Sequence, residues 1–166
     1  MRMMGYQVSR INPEQADQYE SCEITVGEIN DATLVQRITN ALTQSHVVKM
    51  HVGCGARILK GWINIDLSYV PYHDYMQYYT DKFYPEAIRG DQSDFYAIDV
   101  TKNPLPFPDN SVDVIFHEDF LEHLSQRDQV LFLAETLRIL KKGGVHRVNT
   151  PDLPSSMHDH SDFSKG

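Results

Sequence analysis

Cysteine is nearly missing from this chain: two occur in 166 residues, at Cys22 and Cys54. Two thiols cannot form the disulfide framework of a small secreted domain, so both are expected free and reduced, with no metal site built on them. Long apolar runs are missing too. None approaches the ~20 residues that a membrane helix needs, and Met1 to Arg10 holds no uninterrupted apolar stretch of the kind a secretory signal requires. A cytoplasmic location with no membrane contact is expected. Basic charge is scarce, with 15 Lys and Arg against 23 Asp and Glu and a net charge of -8. Such a chain repels a phosphate backbone, and Lys141-Lys142 is its one tight basic pair, so a duplex nucleic-acid partner is disfavoured. A small molecule, a sugar or a protein side chain remains open as substrate.

What is present suffices for one domain. Hydrophobic residues make up 41% of the sequence, and a chain of this length buries roughly 70% of its unfolded surface. The first 30 residues are polar and irregular apart from a strand-like piece at Cys22 to Val26, and are expected to be an arm or part of a lid. From Asp31, a plausible cap, to Ser45, the spacing of Leu34, Ile38, Ala41 and Leu42 predicts an amphipathic helix. Runs rich in β-branched and aromatic residues predict strands at Val47 to Val52, Trp62 to Leu67, Phe95 to Val100, Val112 to Phe116 and Val145 to Asn149. A second helix is predicted from Val130, Leu133, Ala134, Leu137 and Leu140, opening at Ser125 and Asp128. Lys141 and Lys142 fall in its last turn, and Gly143-Gly144 is expected to stop it. Strand, helix, strand is the repeating unit of a mainly parallel sheet. Residues 68–94 form a Tyr-rich insertion, with Tyr69, Tyr72, Tyr75, Tyr78, Tyr79 and Tyr84; a packed surface segment and a substrate-facing lid both fit it.

The chemistry lies in His51-Val52-Gly53-Cys54-Gly55-Ala56. Two glycines one residue apart at the end of a strand allow a sharp turn and close approach of a ligand. A dinucleotide fingerprint needs a third glycine near Ile58 and an acidic residue ~20 positions on. Here the third glycine is missing, and Asp66 follows Gly55 after eleven residues. An acidic side chain at the end of the second strand can accept from both ribose hydroxyls of any adenosine ligand. The pattern therefore fits an adenosine ligand without phosphate better than a nicotinamide dinucleotide.

The run from His51 to Leu67 resembles the first motif of class I S-adenosylmethionine-dependent methyltransferases, in the branch called methyltransferase type 11. The likeness continues through Leu105-Pro106-Phe107-Pro108-Asp109-Asn110-Ser111-Val112-Asp113, Leu121-Glu122-His123-Leu124, Leu137 to Gly144 and Pro151-Asp152-Leu153. It covers residues 47–153, and 31–153 is expected to be the methyltransferase domain, with 154–166 a polar tail. The resemblance implies an open, mainly parallel, Rossmann-like α/β sheet of order 3-2-1-4-5 with flanking helices and S-adenosylmethionine as cofactor. His51, Val52, Gly53, Cys54, Gly55, Asp66, Leu67, Asp99, Val100 and His117 are the cofactor positions it implies. Gly53, Cys54 and Gly55 would line the methionine part, Asp66 would hold the ribose, and Asp99 with Val100 would meet the adenine.

If the acceptor carries a hydroxyl or amine, a base must take its proton, and His117, Glu118 and Asp119 stand at the right end of the sheet. His117-Glu118-Asp119-Phe120 replaces the N-P-P-Y-type run of amino-group methylases, which argues against DNA bases. His158-Asp159-His160 lacks a third partner, so no metal is expected there. The family's last two strands are expected to be absent, leaving the fifth strand as an edge able to pair with a second copy or a partner chain. The function expected is methylation of a small molecule, by likeness a sugar or cell-surface precursor. The alternatives are a non-catalytic S-adenosylmethionine-binding module or fragment, and a nicotinamide-dependent oxidoreductase.

Overall fold

In a computed structural model the described residues are 32–72, 82–102 and 104–152, with two short strands near the start of the chain. Those strands, β1 (Arg2–Met3) and β2 (Tyr6–Gln7), pair antiparallel. The predicted strand at Cys22 to Val26, the cap at Asp31, the middle of the Tyr-rich insertion, His158-Asp159-His160 and the polar tail lie outside the described residues.

The main sheet has five strands: β3 (Lys49–Val52), β4 (Ile63–Asp66), β5 (Phe95–Ala97), β6 (Val112–Glu118) and β7 (Leu140–Asn149). Their spatial order is β5-β4-β3-β6-β7 and every pairing is parallel. In order of the main sheet's own strands this is 3-2-1-4-5, the expected order. Register fixes the two faces. Met50 pairs Ile63 and Ile115, and Val52 pairs Ile65 and His117, so these side chains share one face by the alternation of a pleated strand. His51, Asn64 and Phe116 share the other.

The first face carries the main core. Helix α1 (Ala32–Gln44) contributes Leu34 and Ile38, and helix α2 (Gln126–Ile139) contributes Phe132 and Ile139, to one cluster with Met50, Val52, Ile63, Ile65 and Ile115. Arg37 ties α1 to the sheet: its guanidinium donates to the carbonyls of Ser93 and Phe95 at 2.8 Å each and lies 4.4 Å above the Tyr96 ring. On the second face a short loop replaces a crossover helix between β3 and β4. Asn64, fully buried, organises it by donating to Leu59, Trp62 and Asp94 carbonyls and accepting from the Leu59 amide. A buried amide with both its ends engaged satisfies a loop too short to satisfy itself.

Two expectations are corrected. The apolar stripe assigned to α2 faces outward: Val130, Leu133 and Leu137 are 63%, 39% and 76% exposed, and Ala134 is exposed as well. The helix is apolar on two sides, and tethers decide between them. Arg138 donates to the carbonyls of Leu105 and Phe107 and to Asp109, while Glu135 accepts from the Leu105 amide. These bonds hold the helix so that Phe132, Thr136 and Ile139 point inward.

The second correction concerns Lys141 to Gly144, which belong to β7 and not to the end of a helix. Ser125 caps the start of α2 as expected, its Oγ accepting from the Asp128 amide at 3.2 Å. At the other end, Ser111 donates to the Ile139 carbonyl and Lys141 Nζ donates to Asp113 Oδ2 at 2.7 Å, drawing the chain directly into pairing with β6. Val112 opposes Leu140 and Val114 opposes Val145, so three extra residues are absorbed on β7. Gly143, at φ +82°, supplies the left-handed step this irregularity needs.

Candidate functional site

The C-terminal ends of β3, β4 and β6 come together, where ligands bind in open α/β sheets. The first feature there is the glycine loop. Gly53 and Gly55 take φ of +64° and +51°, a region that side chains with a Cβ disfavour by roughly 1–2 kcal/mol. Their surroundings differ. A Cβ on Gly53 would lie 2.7 Å from Cγ and 2.9 Å from Cβ of Phe120, whereas one on Gly55 would meet nothing within 4 Å among the described residues. Gly53 is therefore required by packing, and Gly55 borders the open space. The Gly53 and Cys54 amides both donate to the Ile65 carbonyl, fastening the turn to β4.

Asp66 ends β4 beside this loop. Its Oδ2 accepts from the Gly55 amide at 2.9 Å and its Oδ1 from the Leu67 amide at 2.7 Å. Both oxygens are thus aimed by backbone donors, yet each keeps a lone pair for a ligand. Leu67 is 42% exposed at the rim.

Other predicted positions are supports beneath the loop. Val52 and Cys54 are buried, at 1% and 2% exposure. Burial, reinforced by the Asp66 charge, pushes the Cys54 thiol well above its usual pKa, which removes it as a nucleophile. His51 is buried and stacked 5.0 Å from Phe116, and desolvation lowers its pKa to about 4. Asp99 lies past the end of β5, which stops at Ala97 and not at Val100. Its Oδ1 accepts from the Thr101 amide at 2.9 Å and the Thr101 hydroxyl at 2.7 Å, the bonding of a turn residue. Val100 is buried.

The three acid–base positions also separate. β6 runs to Glu118, so His117 and Glu118 are strand residues and not loop residues. The His117 ring has no exposure and sits against Phe120, Phe132 and His146, with centroids 5.7, 5.5 and 5.1 Å away. Neither of its nitrogens has a hydrogen-bond partner among the described residues, and burial lowers its pKa to about 4, so it is neutral at pH 7. Glu118 points the other way, to an ion pair with Arg57 at 2.6 Å. Asp119 is exposed at φ +47°, and partial burial with the nearby charges of Glu122 and Glu118 raises its pKa.

Arg57, Phe120 and Asn149 complete the site without having been singled out in the sequence. Arg57 lay inside the motif run; its pairing across 61 positions left no local signal. Among the described residues no cluster of His, Cys, Asp and Glu could hold a metal, and no helix is long and apolar enough to cross a membrane. A recess of about 290 Å³ lined by Arg37, Lys49, Trp62, Asp94 and Tyr96 lies at the opposite ends of β3 and β4, away from the glycine loop.

A parallel sheet of order 3-2-1-4-5, with a two-glycine turn after its first strand and an aimed carboxylate after its second, defines a Rossmann-like domain of the class I methyltransferase type. The sequence comparisons agree. The profile of a family described as "Methyltransferase domain" matches residues 50–148. A stretch of 48 residues is 48% identical to a "Probable S-adenosylmethionine-dependent methyltransferase" of Mycolicibacterium smegmatis, covering 29% of this chain and 18% of that protein. Among solved structures, a complex of the Haloferax volcanii Trm112 methyltransferase activator with a candidate methyltransferase gives a match over 69% of this chain and 51% of that chain, at 22% identity and a TM-score of 0.37. A candidate S-adenosylmethionine-dependent methyltransferase from Methanococcus maripaludis covers 81% and 67%, at 16% identity and a TM-score of 0.38. The chain thus spans less than a fifth of the curated relative and about half of the Haloferax chain. It belongs to the methyltransferase-domain family. S-adenosylmethionine is the cofactor that this membership implies, and the open cradle at Gly55 beside the aimed Asp66 carboxylate fits an adenosine ligand.

Proposed function

We propose that this chain carries a methyl group from S-adenosylmethionine to a small-molecule acceptor. The observation that carries this reading is Asp66, whose two oxygens are oriented by the Gly55 and Leu67 amides next to an unobstructed glycine. A sugar or cell-surface precursor as acceptor rests on the resemblance alone. When bound, the cofactor supplies an activated methyl carbon, so the acceptor–carbon bond forms as the carbon–sulfur bond breaks and S-adenosylhomocysteine departs. The chain's own contribution is positioning, which is worth several kcal/mol, on the order of 7–11 at the upper limit.

Among His117, Glu118 and Asp119, we assign the proton-accepting role to Asp119. It is exposed at the strand end, with a pKa raised by partial burial and by Glu122 and Glu118. A raised pKa makes a carboxylate a stronger base, and the base acts only when ionised. Activity on a hydroxyl or amine acceptor should therefore rise with pH through a limb above the usual carboxylate range. Asp119→Asn should lower kcat by about 10²–10⁴-fold and abolish that limb. Transfer of a labelled methyl group, followed across pH in both proteins, checks this; an unchanged profile in the variant excludes Asp119 as base.

We also propose that the β7 side of the molecule meets a second copy or a partner chain. Val145 and Val148 on β7 are 57% and 43% exposed, next in sequence to the exposed Val130, Leu133 and Leu137 of α2. Among the described residues β7 is an edge of the sheet, and a sheet edge flanked by apolar side chains favours association. Light scattering of the pure protein should give a mass above the monomer, falling to the monomer in a Leu137→Lys, Val148→Lys double variant. A monomer at every concentration excludes self-association and leaves a different chain as partner.

A further inference from the structure

The recess of about 290 Å³ opens where α1 ends and where β3 and β4 begin. It is separate from the glycine loop: β3 runs from Lys49, at the recess, towards Gly53, and the four steps between them span about 13 Å of extended chain. Val48 and Ile63, both buried, give the recess an apolar base. Trp62 and Tyr96 line it as well, and each has a cation over its ring. Lys49 Nζ lies 5.1 Å from the centre of the Trp62 ring, and the Arg37 guanidinium 4.4 Å from that of Tyr96.

Ion pairing does not account for these two cations. Among the described residues no carboxylate forms an ion pair with either of them. Arg37 has a structural role, since its bonds to the Ser93 and Phe95 carbonyls tie α1 to the sheet. Lys49 has none of that kind: it is half-buried, and its contact with the indole leaves the positive charge in place. Asp94 also lines the recess, but its Oδ1 already accepts from the Gly61 amide at 3.0 Å, and it stands alone against two cations. In a chain with a net charge of -8, this is a local reversal of sign.

Positive charge held beside aromatic side chains complements a ligand that is flat and anionic. We propose that this recess binds a small aromatic carboxylate, with its ring beside Trp62 and Tyr96 and its carboxylate on Lys49 Nζ. Arg37, fixed in place by its carbonyl bonds, adds attraction without having to be ordered on binding. The exposed amide of Gln44 borders the recess and can donate to the second carboxylate oxygen. The volume stands at the lower limit of small-molecule sites, roughly 300–1,000 Å³, which suits one ring or two fused rings. A ligand held here cannot meet an atom held at the opposite ends of the strands, so it is not the methyl acceptor.

Trp62 is the single tryptophan of the chain, so its indole N–H gives one NMR signal that reports on the recess. On titration of isotope-labelled wild-type protein, 2-naphthoate should shift that signal saturably. The neutral 2-naphthamide has nearly the same shape and should bind about tenfold more weakly or less well still. Lys49→Gln should weaken 2-naphthoate by about tenfold or more and leave 2-naphthamide within about twofold, and Lys49→Arg should recover part of the loss. The backbone amide spectrum of each variant shows that it is folded, and the comparison of the two ligands on the wild-type protein needs no variant. No saturable shift with 2-naphthoate, equal affinity for the two ligands, or an unchanged affinity in Lys49→Gln overturns the proposal. None of these outcomes depends on the assignment of the cofactor to Gly53, Gly55 and Asp66.

Discussion

Replacing Gly53 by alanine should lower folding stability by roughly 2–5 kcal/mol, from two separable causes. A Cβ at φ +64° costs about 1–2 kcal/mol by clash with its own backbone. The same Cβ enters space held by Phe120, whose Cγ and Cβ would lie 2.7 and 2.9 Å from it, and overpacking of this kind costs about 1–3 kcal/mol. Phe120 cannot readily withdraw, because its ring packs 5.4 Å from Phe132 and 5.7 Å from His117. Chemical denaturation of Gly53→Ala alone and in a Phe120→Ala background distinguishes the causes. The second background should recover the contact part and keep the backbone part. Gly55→Ala, with no atom of the described residues near its Cβ, should show the backbone part only, about 1–2 kcal/mol. Equal losses at the two glycines would refute the distinction drawn between them.

Asp66→Ala is expected to weaken S-adenosylhomocysteine binding by about 1.5–3 kcal/mol, the scale of hydrogen bonds to a charged acceptor. This corresponds to roughly ten- to a hundredfold in Kd. Part of the effect is direct, through loss of the ribose contact. Part is indirect, since Gly55 and Leu67 lose the acceptor of their amides at 2.9 and 2.7 Å and the loop loosens. An Asp66→Asn variant separates the two: it retains one oxygen for a backbone donor and removes the charge. Affinity unchanged in both variants would take Asp66 out of the site.

The parts of the molecule that could be read from sequence are those whose signals are local. Glycines at positions 53 and 55 announce a left-handed turn because few other residues tolerate it, and the spacing to Asp66 follows from a loop that Asn64 closes. The strand order likewise followed from recognisable motifs in sequence. The parts misread depend on tertiary choices. α2 is apolar on two sides, and only the Arg138 and Glu135 bonds to the 105–109 segment choose the side with Phe132 and Ile139. Lys141 to Gly144 look like a helix end until Asp113 claims Lys141 and β6 claims the backbone. Arg57 was hidden for the same reason, since its partner Glu118 lies 61 positions away. The strand predicted to stop at Phe116 runs on to Glu118, because the hydrogen-bonded register with β7 continues through His117 and Glu118, and this places the His117 ring in the core.

The central claim is that the glycine loop and Asp66 hold an adenosine cofactor that has no phosphate. Calorimetric titration of the wild-type protein with S-adenosylhomocysteine and, separately, with NAD tests it most directly. Saturable binding of S-adenosylhomocysteine with no heat from NAD is the result expected from a two-glycine loop with no third glycine and Asp66 eleven residues beyond Gly55. Binding of NAD without S-adenosylhomocysteine would contradict it.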